Sequence, residues 1–185
     1  MVINMGGKSK QYVKIVDTYG YQYASRITGK RGAVVVVPIY RDYETQELKL
    51  QLILSERPTF DKPILEFPAG LLDDDSLSIE DTVLKELREE TGWTGEIHSV
   101  LDPAPSSAGI TDEILYIATV FLTEKHEPSH QGNEKIKVLP LMSFVDFIKY
   151  INEEDGKILV SSRLVTYMLG FTIGYSFSKF GLMEF

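Results

Sequence analysis

The stretch Leu84–Trp93, LKELREETGW, constrains the fold more than any other part of the chain. Read as a helix at about 100° per residue, it brings Glu86, Glu89 and Glu90 within about 100° of one another. Val83, Leu84 and Leu87 fall elsewhere and can face a core. Ser78 is a good N-cap, with Asp81 three residues on completing a capping box, and Gly92 is a good terminating residue. The helix is therefore bracketed near 79–91. Like charges four residues apart destabilise a helix by roughly a few tenths of a kcal/mol, and Lys85 and Arg88 are expected to project away from the stripe. A solvated acidic face explains this clustering less well than a set of oxygen ligands for a hard divalent cation. Mg²⁺ favours carboxylates, waters and a substrate phosphate.

Around this helix the chain reads as a mixed α/β protein. Residues 11–27 form a β-hairpin turning near Tyr19-Gly20, and AVVVVPIY (Ala33–Tyr40) is a buried strand. The segment LKLQLILSE alternates and reads as its hairpin partner. ILEFPAG, GEIHSVL, EILYIATVFL and IKVLPL are further strands, and Thr123–Lys135 is a polar loop. SFVDFIKYINEE, capped by Ser143, and residues 159–178 read as helices. Strand pairs lying side by side among helices predict a mixed sheet covered by helices on both faces. GKRG (Gly29–Gly32) is a turn and lacks the spacing of a phosphate-binding Walker loop.

Charge and composition narrow the function. A net charge of -8 and a pI near 4.9 argue against nonspecific nucleic-acid or anionic-membrane binding. A phosphate-bearing ligand must then be met by local cations or a metal. The absence of cysteine excludes disulfides, thiol nucleophiles and Cys-ligated zinc. The N-terminus has no apolar core of signal-peptide type. The uncharged run Leu164–Ser178 is shorter than the roughly 20 residues of a membrane helix, so it is expected to be a buried or subunit-contact helix in a cytoplasmic protein. His98, His126 and His130 have no spacing that makes a metal site, and Trp93 is expected in the core.

The segment GLLDDDSLSIEDTVLKELREETGW resembles the Nudix box: Glu86, Leu87, Glu89, Glu90, Gly92 and Trp93 match its C-terminal half. Fourteen residues separate Gly70 from Lys85, one more than in the family. Ser76 or Leu77 stands at the early Glu position, and Lys85 replaces an arginine. The preceding ILSERPTFDKPILEFPAGLLDDD and the later APSSAGITDEILY are similar to ADP-ribose pyrophosphatases of the family, with Ala108 in place of a marker proline.

The resemblance implies an α/β/α sandwich with a mixed β-sheet over residues 31–185. It also implies an N-terminal β-hairpin region, residues 1–30, exchanged across a homodimer. Glu86, Glu89 and Glu90, with the Ala69 carbonyl, would hold Mg²⁺, or Mn²⁺ in its place, and Arg57 would contact the diphosphate as a forked donor. Glu134 would be the catalytic base, on a loop that Gly132 allows to move; Glu124 and Glu127 compete for that role, and Glu89 is grouped with Glu134 as catalytic. Tyr19, Tyr21 or Tyr23 would stack an adenine, with Tyr23 and Arg26 binding substrate in the partner's site. The implied reaction splits ADP-ribose into AMP and ribose 5-phosphate. The alternatives are another nucleoside diphosphate sugar, such as ADP-glucose or GDP-mannose, a housecleaning triphosphatase, or a non-catalytic Nudix ligand-binding regulator.

Overall fold

The computed structural model describes residues 12–27, 32–130 and 134–179. β1 (Val13–Thr18) and β2 (Tyr21–Arg26) form the expected antiparallel hairpin. It turns on Tyr19 (φ 55) and Gly20 (φ 79), two left-handed residues whose twist suits a tight hairpin. β3 (Gly32–Arg41) is buried from Gly32 to Pro38. The segment read as one hairpin partner divides into β4 (Leu48–Leu50), which pairs with β3, and β5 (Ile53–Ser55), which joins a second sheet. The break falls at Gln51 and Leu52, which are both buried. The pair interrupts the alternation of a half-buried strand, and at this point the chain leaves β3 for the second sheet. Gln51 is held by hydrogen bonds: its Nε2 donates to the Leu139 carbonyl at 2.6 Å, and its Oε1 accepts from Trp93 Nε1 at 2.8 Å.

β6 (Ile64–Glu66) pairs with β5, and β7 (Ala69–Leu71) returns to pair with Ala33–Val35 of β3. α1 (Ile79–Thr91) has the capping box of Ser78 with Asp81, and it ends on Gly92 in the left-handed conformation. β8 (Trp93–Val100) and β9 (Ala104–Pro105) follow, then β10 (Ile114–Lys125), which runs into the segment expected to be loop. β10 lies parallel to β3 and antiparallel to β8 and β9. β11 (Ile136–Val138) pairs with β5, and α2 (Phe144–Glu153) is capped by Ser143. The last expected helix begins later than its sequence suggests. Leu159 and Val160 form β12 (Leu159–Val160), parallel to β6, before α3 (Ser162–Lys179).

Besides the two-stranded hairpin, two sheets result where one was expected: a mixed six-stranded sheet built on β4-β3-β10-β8, and a smaller sheet in the order β11-β5-β6-β12. The valines of β3 explain the layering. Val34 and Val36 pack with Val83, Leu87, Ala118 and Val120, so α1 covers that face. Val35 and Val37 point the other way, into a core shared with Leu52 and Leu65 of the second sheet, Phe147 of α2, and Leu164 and Met168 of α3. Each such fully buried aliphatic side chain contributes roughly 1.5–3 kcal/mol. The large sheet thus lies between α1 and a layer containing the second sheet, α2 and α3. Trp93 is in the core, as expected.

At Gly92 (φ +77) an added Cβ would lie 2.1 Å from the His126 carbonyl oxygen. The residue combines a left-handed backbone with a close main-chain crossing, and only glycine satisfies both. Gly92→Ala is expected to destabilise the protein by about 2 kcal/mol or more. Urea denaturation checks this; a variant as stable as the parent contradicts the close crossing.

Candidate active site

The first wall of the site comes from the approach of α1 to β7. At position 70 an added Cβ would lie 2.0 Å from Glu86 Cδ, so the Glu86 side chain occupies space that any residue other than glycine would fill. Glu90, only 4% exposed, accepts a hydrogen bond from the Ala69 N–H at 2.9 Å. The C-terminal end of α1 is secured by the segment after β10. Ser129 N donates to the Glu89 carbonyl at 2.9 Å, and His130 Nε2 lies 3.1 Å from the Glu90 carbonyl oxygen.

These carboxylates pay electrostatically for their position. Burial raises the Glu90 pKa to about 8, with Glu86 and Glu134 adding repulsion against the lowering effects of the Ala69 N–H and Arg57. Burial also raises Glu86, partly offset by Lys85. Lys85 does not project away from the stripe. Its Nζ lies 3.2 Å from Glu86 Oε1 and 3.5 Å from Glu89 Oε2. Glu89 is one helical turn beyond Lys85, so a long flexible side chain reaches both carboxylates.

Glu86, Glu89 and Glu90 line a cleft of about 600 Å³ that also takes in Ala69, Gly70 and Glu134. Of the three carboxylates considered for the base, Glu134 lines the cleft, whereas Glu124 and Glu127 do not; Glu124 instead lies 3.5 Å from His126. Gly132, invoked for loop movement, lies outside the described residues. Arg57 also lines the cleft, and its Nη2 donates to Glu66 Oε1 at 3.1 Å. Ser55 Oγ donates to the same oxygen. Arg26 lines it as well, with Nε donating to Glu113 Oε1 at 2.8 Å. β2 is fixed there because Ala24 N donates to the Ile110 carbonyl at 2.7 Å and Ser25 Oγ to Asp112 Oδ2 at 2.9 Å. Tyr23 does not line the cleft of its own chain, nor does Tyr19 or Tyr21.

Glu66, Asp73, Glu113 and Arg163 also line the cleft, and the sequence reading named none of them as site residues. A charged residue inside the apolar run ILEF was a usable signal for Glu66, and the AGITDE segment contained Glu113. Arg163 had no local signal, since it is brought in by the pairing of β12 with β6.

The donor set suits a hard divalent cation, because every candidate ligand is an oxygen and the carboxylates are crowded and partly desolvated. Among the described residues, no three His, Asp or Glu side chains have closed into a ready-made coordination shell. Lys85 places a positive charge between Glu86 and Glu89.

Residues 29–161 match the NUDIX domain family. The chain is 31% identical over 160 residues to an ADP-ribose pyrophosphatase of Bacillus subtilis (strain 168), covering 82% of this chain and 79% of that protein. It is also 31% identical over 138 residues to a methanol dehydrogenase activator of Bacillus methanolicus, covering 70% and 69%. A crystal structure of an ADP compounds hydrolase shares the fold with a TM-score of 0.56, at 20% identity, over 96% of this chain and 100% of that one.

The raised Glu90 pKa has a stability consequence in metal-free protein. The folded state keeps a proton that the unfolded chain, with a carboxyl near 4.5, releases. Folding therefore carries no penalty from Glu90 below about pH 4.5 and the full penalty above about pH 8, and stability falls as pH rises between them. The penalty is on the order of a few kcal/mol. Urea denaturation in EDTA from pH 5 to 8.5 should show this decline, and Glu90→Gln should flatten much of it. An unaltered slope in that variant would place the titration elsewhere.

Proposed function

The chain belongs to the Nudix family and is a Nudix hydrolase, and from that premise we propose that it hydrolyses the diphosphate of ADP-ribose to AMP and ribose 5-phosphate with Mg²⁺. One observation carries this reading: Glu86, Glu89, Glu90, Glu134 and Arg57 line a single cleft. Nudix hydrolases generally use divalent metal ions, and here Glu86, Glu89, Glu90 and the Ala69 carbonyl would hold Mg²⁺, or Mn²⁺ in its place. When bound, the metal neutralises charge on the diphosphate and acidifies water.

The chain's own residues supply the remaining functions. Arg57 is a forked donor for a diphosphate oxygen, and its contact with Glu66 orients the guanidinium. Glu134 takes the proton of the attacking water as one P–O bond of the diphosphate breaks. Gly70 leaves the space in which the Glu86 carboxylate sits. A second reading, hydrolysis of another nucleoside diphosphate sugar, is favoured by Ala108 standing where ADP-ribose pyrophosphatases carry a marker proline. We also propose a cytoplasmic homodimer whose hairpin faces the partner, bringing Tyr23 to the partner's site. The exposed Ile15, Tyr19 and Tyr21 of that hairpin support it. Among the described residues no helix is long and apolar enough to cross a membrane.

A panel of nucleoside diphosphate sugars incubated with Mg²⁺, with nucleoside monophosphate release as the readout, tests the substrate. ADP-ribose should be among the better substrates, and its rejection in favour of another sugar nucleotide would establish the second reading. Glu90→Gln is expected to lower turnover by two or more orders of magnitude, roughly 3 kcal/mol of barrier, while the protein still folds. Glu134→Gln should lower the rate without much weakening of Mg²⁺ binding; equal losses in both would give Glu134 a different role.

A further inference from the structure

Seven carboxylates and four cationic side chains line the cleft. An anionic substrate entering it needs positive charge that is not already committed. Three of the cations are engaged: Arg26 with Glu113, Arg57 with Glu66, and Lys85 with Glu86 and Glu89. Arg163 is the fourth. Among the described residues, no hydrogen bond or ion pair occupies its guanidinium.

Its backbone, by contrast, is firmly placed. β12 lies parallel to β6, with Leu159 opposite Ile64 and Val160 opposite Leu65. Ser161 N then donates to the Leu65 carbonyl at 2.9 Å, next to Glu66, the carboxylate that holds Arg57. Ser161 also accepts from the first turn of α3, through its carbonyl to Val165 N at 3.0 Å and its Oγ to Leu164 N at 3.3 Å. Leu164 is fully buried. The exposed Arg163 is thus a long cation with an uncommitted head on a rigid mount, at the cleft wall that already carries Arg57. A guanidinium in this state suits phosphate, because its planar fork gives two parallel donors and its charge persists at every physiological pH.

We propose that Arg163 is a second substrate-binding arginine, donating to phosphoryl oxygens of the nucleoside diphosphate alongside Arg57. The assignment rests on the hydrolase reading above and extends it to a residue outside the box and outside the EFPAG segment. Arg163 then contributes to ground-state binding of the diphosphate and takes no part in proton transfer.

Full-length protein with Arg163→Gln and Arg163→Lys, both at an exposed position, provides the test. With Mg²⁺ and ADP-ribose, the glutamine variant should raise KM at least tenfold and leave kcat within about threefold, with the lysine variant in between. Calorimetric titration of ADP-ribose in EDTA should show the same order of affinities. The wild-type affinity should also fall more steeply with KCl than that of the glutamine variant. Wild-type and Arg163→Gln proteins binding ADP-ribose equally would overturn the proposal while leaving the hydrolase reading intact. A variant that loses kcat with KM unchanged would overturn it as well. If the wild type hydrolyses no nucleoside diphosphate but binds ADP-ribose through Arg163, the hydrolase reading fails and the anion site stands.

Discussion

The close approach of α1 to β7 is the contact on which the site depends. Val83 and Leu87 bury one side of the helix against Val34 and Val36 of β3, and β7 pairs with the same stretch of β3. Helix and strand are therefore fixed to a common support, and their separation follows from core packing. Gly70 allows that separation to be small enough for the Glu86 side chain to occupy the space beside it. The Ala69 N–H then lies within reach of the buried Glu90 carboxylate. A charged group in such a place needs a hydrogen-bond donor or a counter-charge. This one has the first from the backbone of β7 and a weaker form of the second from Arg57, and the two do not offset the burial that raises its pKa.

The clustered glutamates set local stability against the chemistry they can support. Burial, reinforced by repulsion from neighbouring glutamates, disfavours the charged forms of Glu86 and Glu90, while the capping box and the left-handed Gly92 stabilise the ends of the same helix. Lys85 relieves part of the repulsion by reaching both Glu86 and Glu89. A lysine in this role is a compact ammonium on a flexible stem, and it can yield its place more readily than a guanidinium held by two parallel bonds. Strain of this kind is usual where a protein keeps groups ready for a ligand.

Much of the fold was legible because local signals agreed with tertiary demands. The helix 79–91 carried caps at both ends, the Val-rich strand β3 is buried on both faces, and the hairpin turned at the residues able to adopt positive φ. The alternation in LKLQLILSE misled for a physical reason. It records which residues are apolar, and it is silent on where the chain leaves one sheet for another. The departure at Gln51–Leu52 is set by partners distant in sequence, Leu139 and Trp93. The same limit applies to the site. Glu86, Glu89 and Glu90 announce themselves on one helix, and Arg57 stands beside a recognisable segment. Arg163 arrives only through the two-residue strand β12, too short to give a periodic signal. Lys85 was misjudged although it stands four residues before Glu89, a spacing that puts both on one helix face and lets the ammonium reach the acidic stripe.

The change of sheet between β4 and β5 bears directly on the cleft. Had the chain continued along β3 as a single hairpin partner, Ser55 and Arg57 would have followed the edge of the large sheet. By crossing into the second sheet, β5 carries them against β6, where Ser55 and Arg57 share Glu66. β12 then adds to the far side of β6 and brings Arg163 to the same wall. Glu86, Glu89 and Glu90 come from α1, packed on the large sheet, whereas Arg57, Glu66 and Arg163 are placed by strands of the small one. A single switch of sheet thus brings residues of both sheets around one cleft, and Ala33, Val35 and Leu115 of the large sheet also line the space. In a protein with a net charge of -8, attraction for a phosphorylated ligand has to be built locally. The second sheet does so by gathering residues that are 106 positions apart, Arg57 and Arg163, at the cleft that the glutamates of α1 also line.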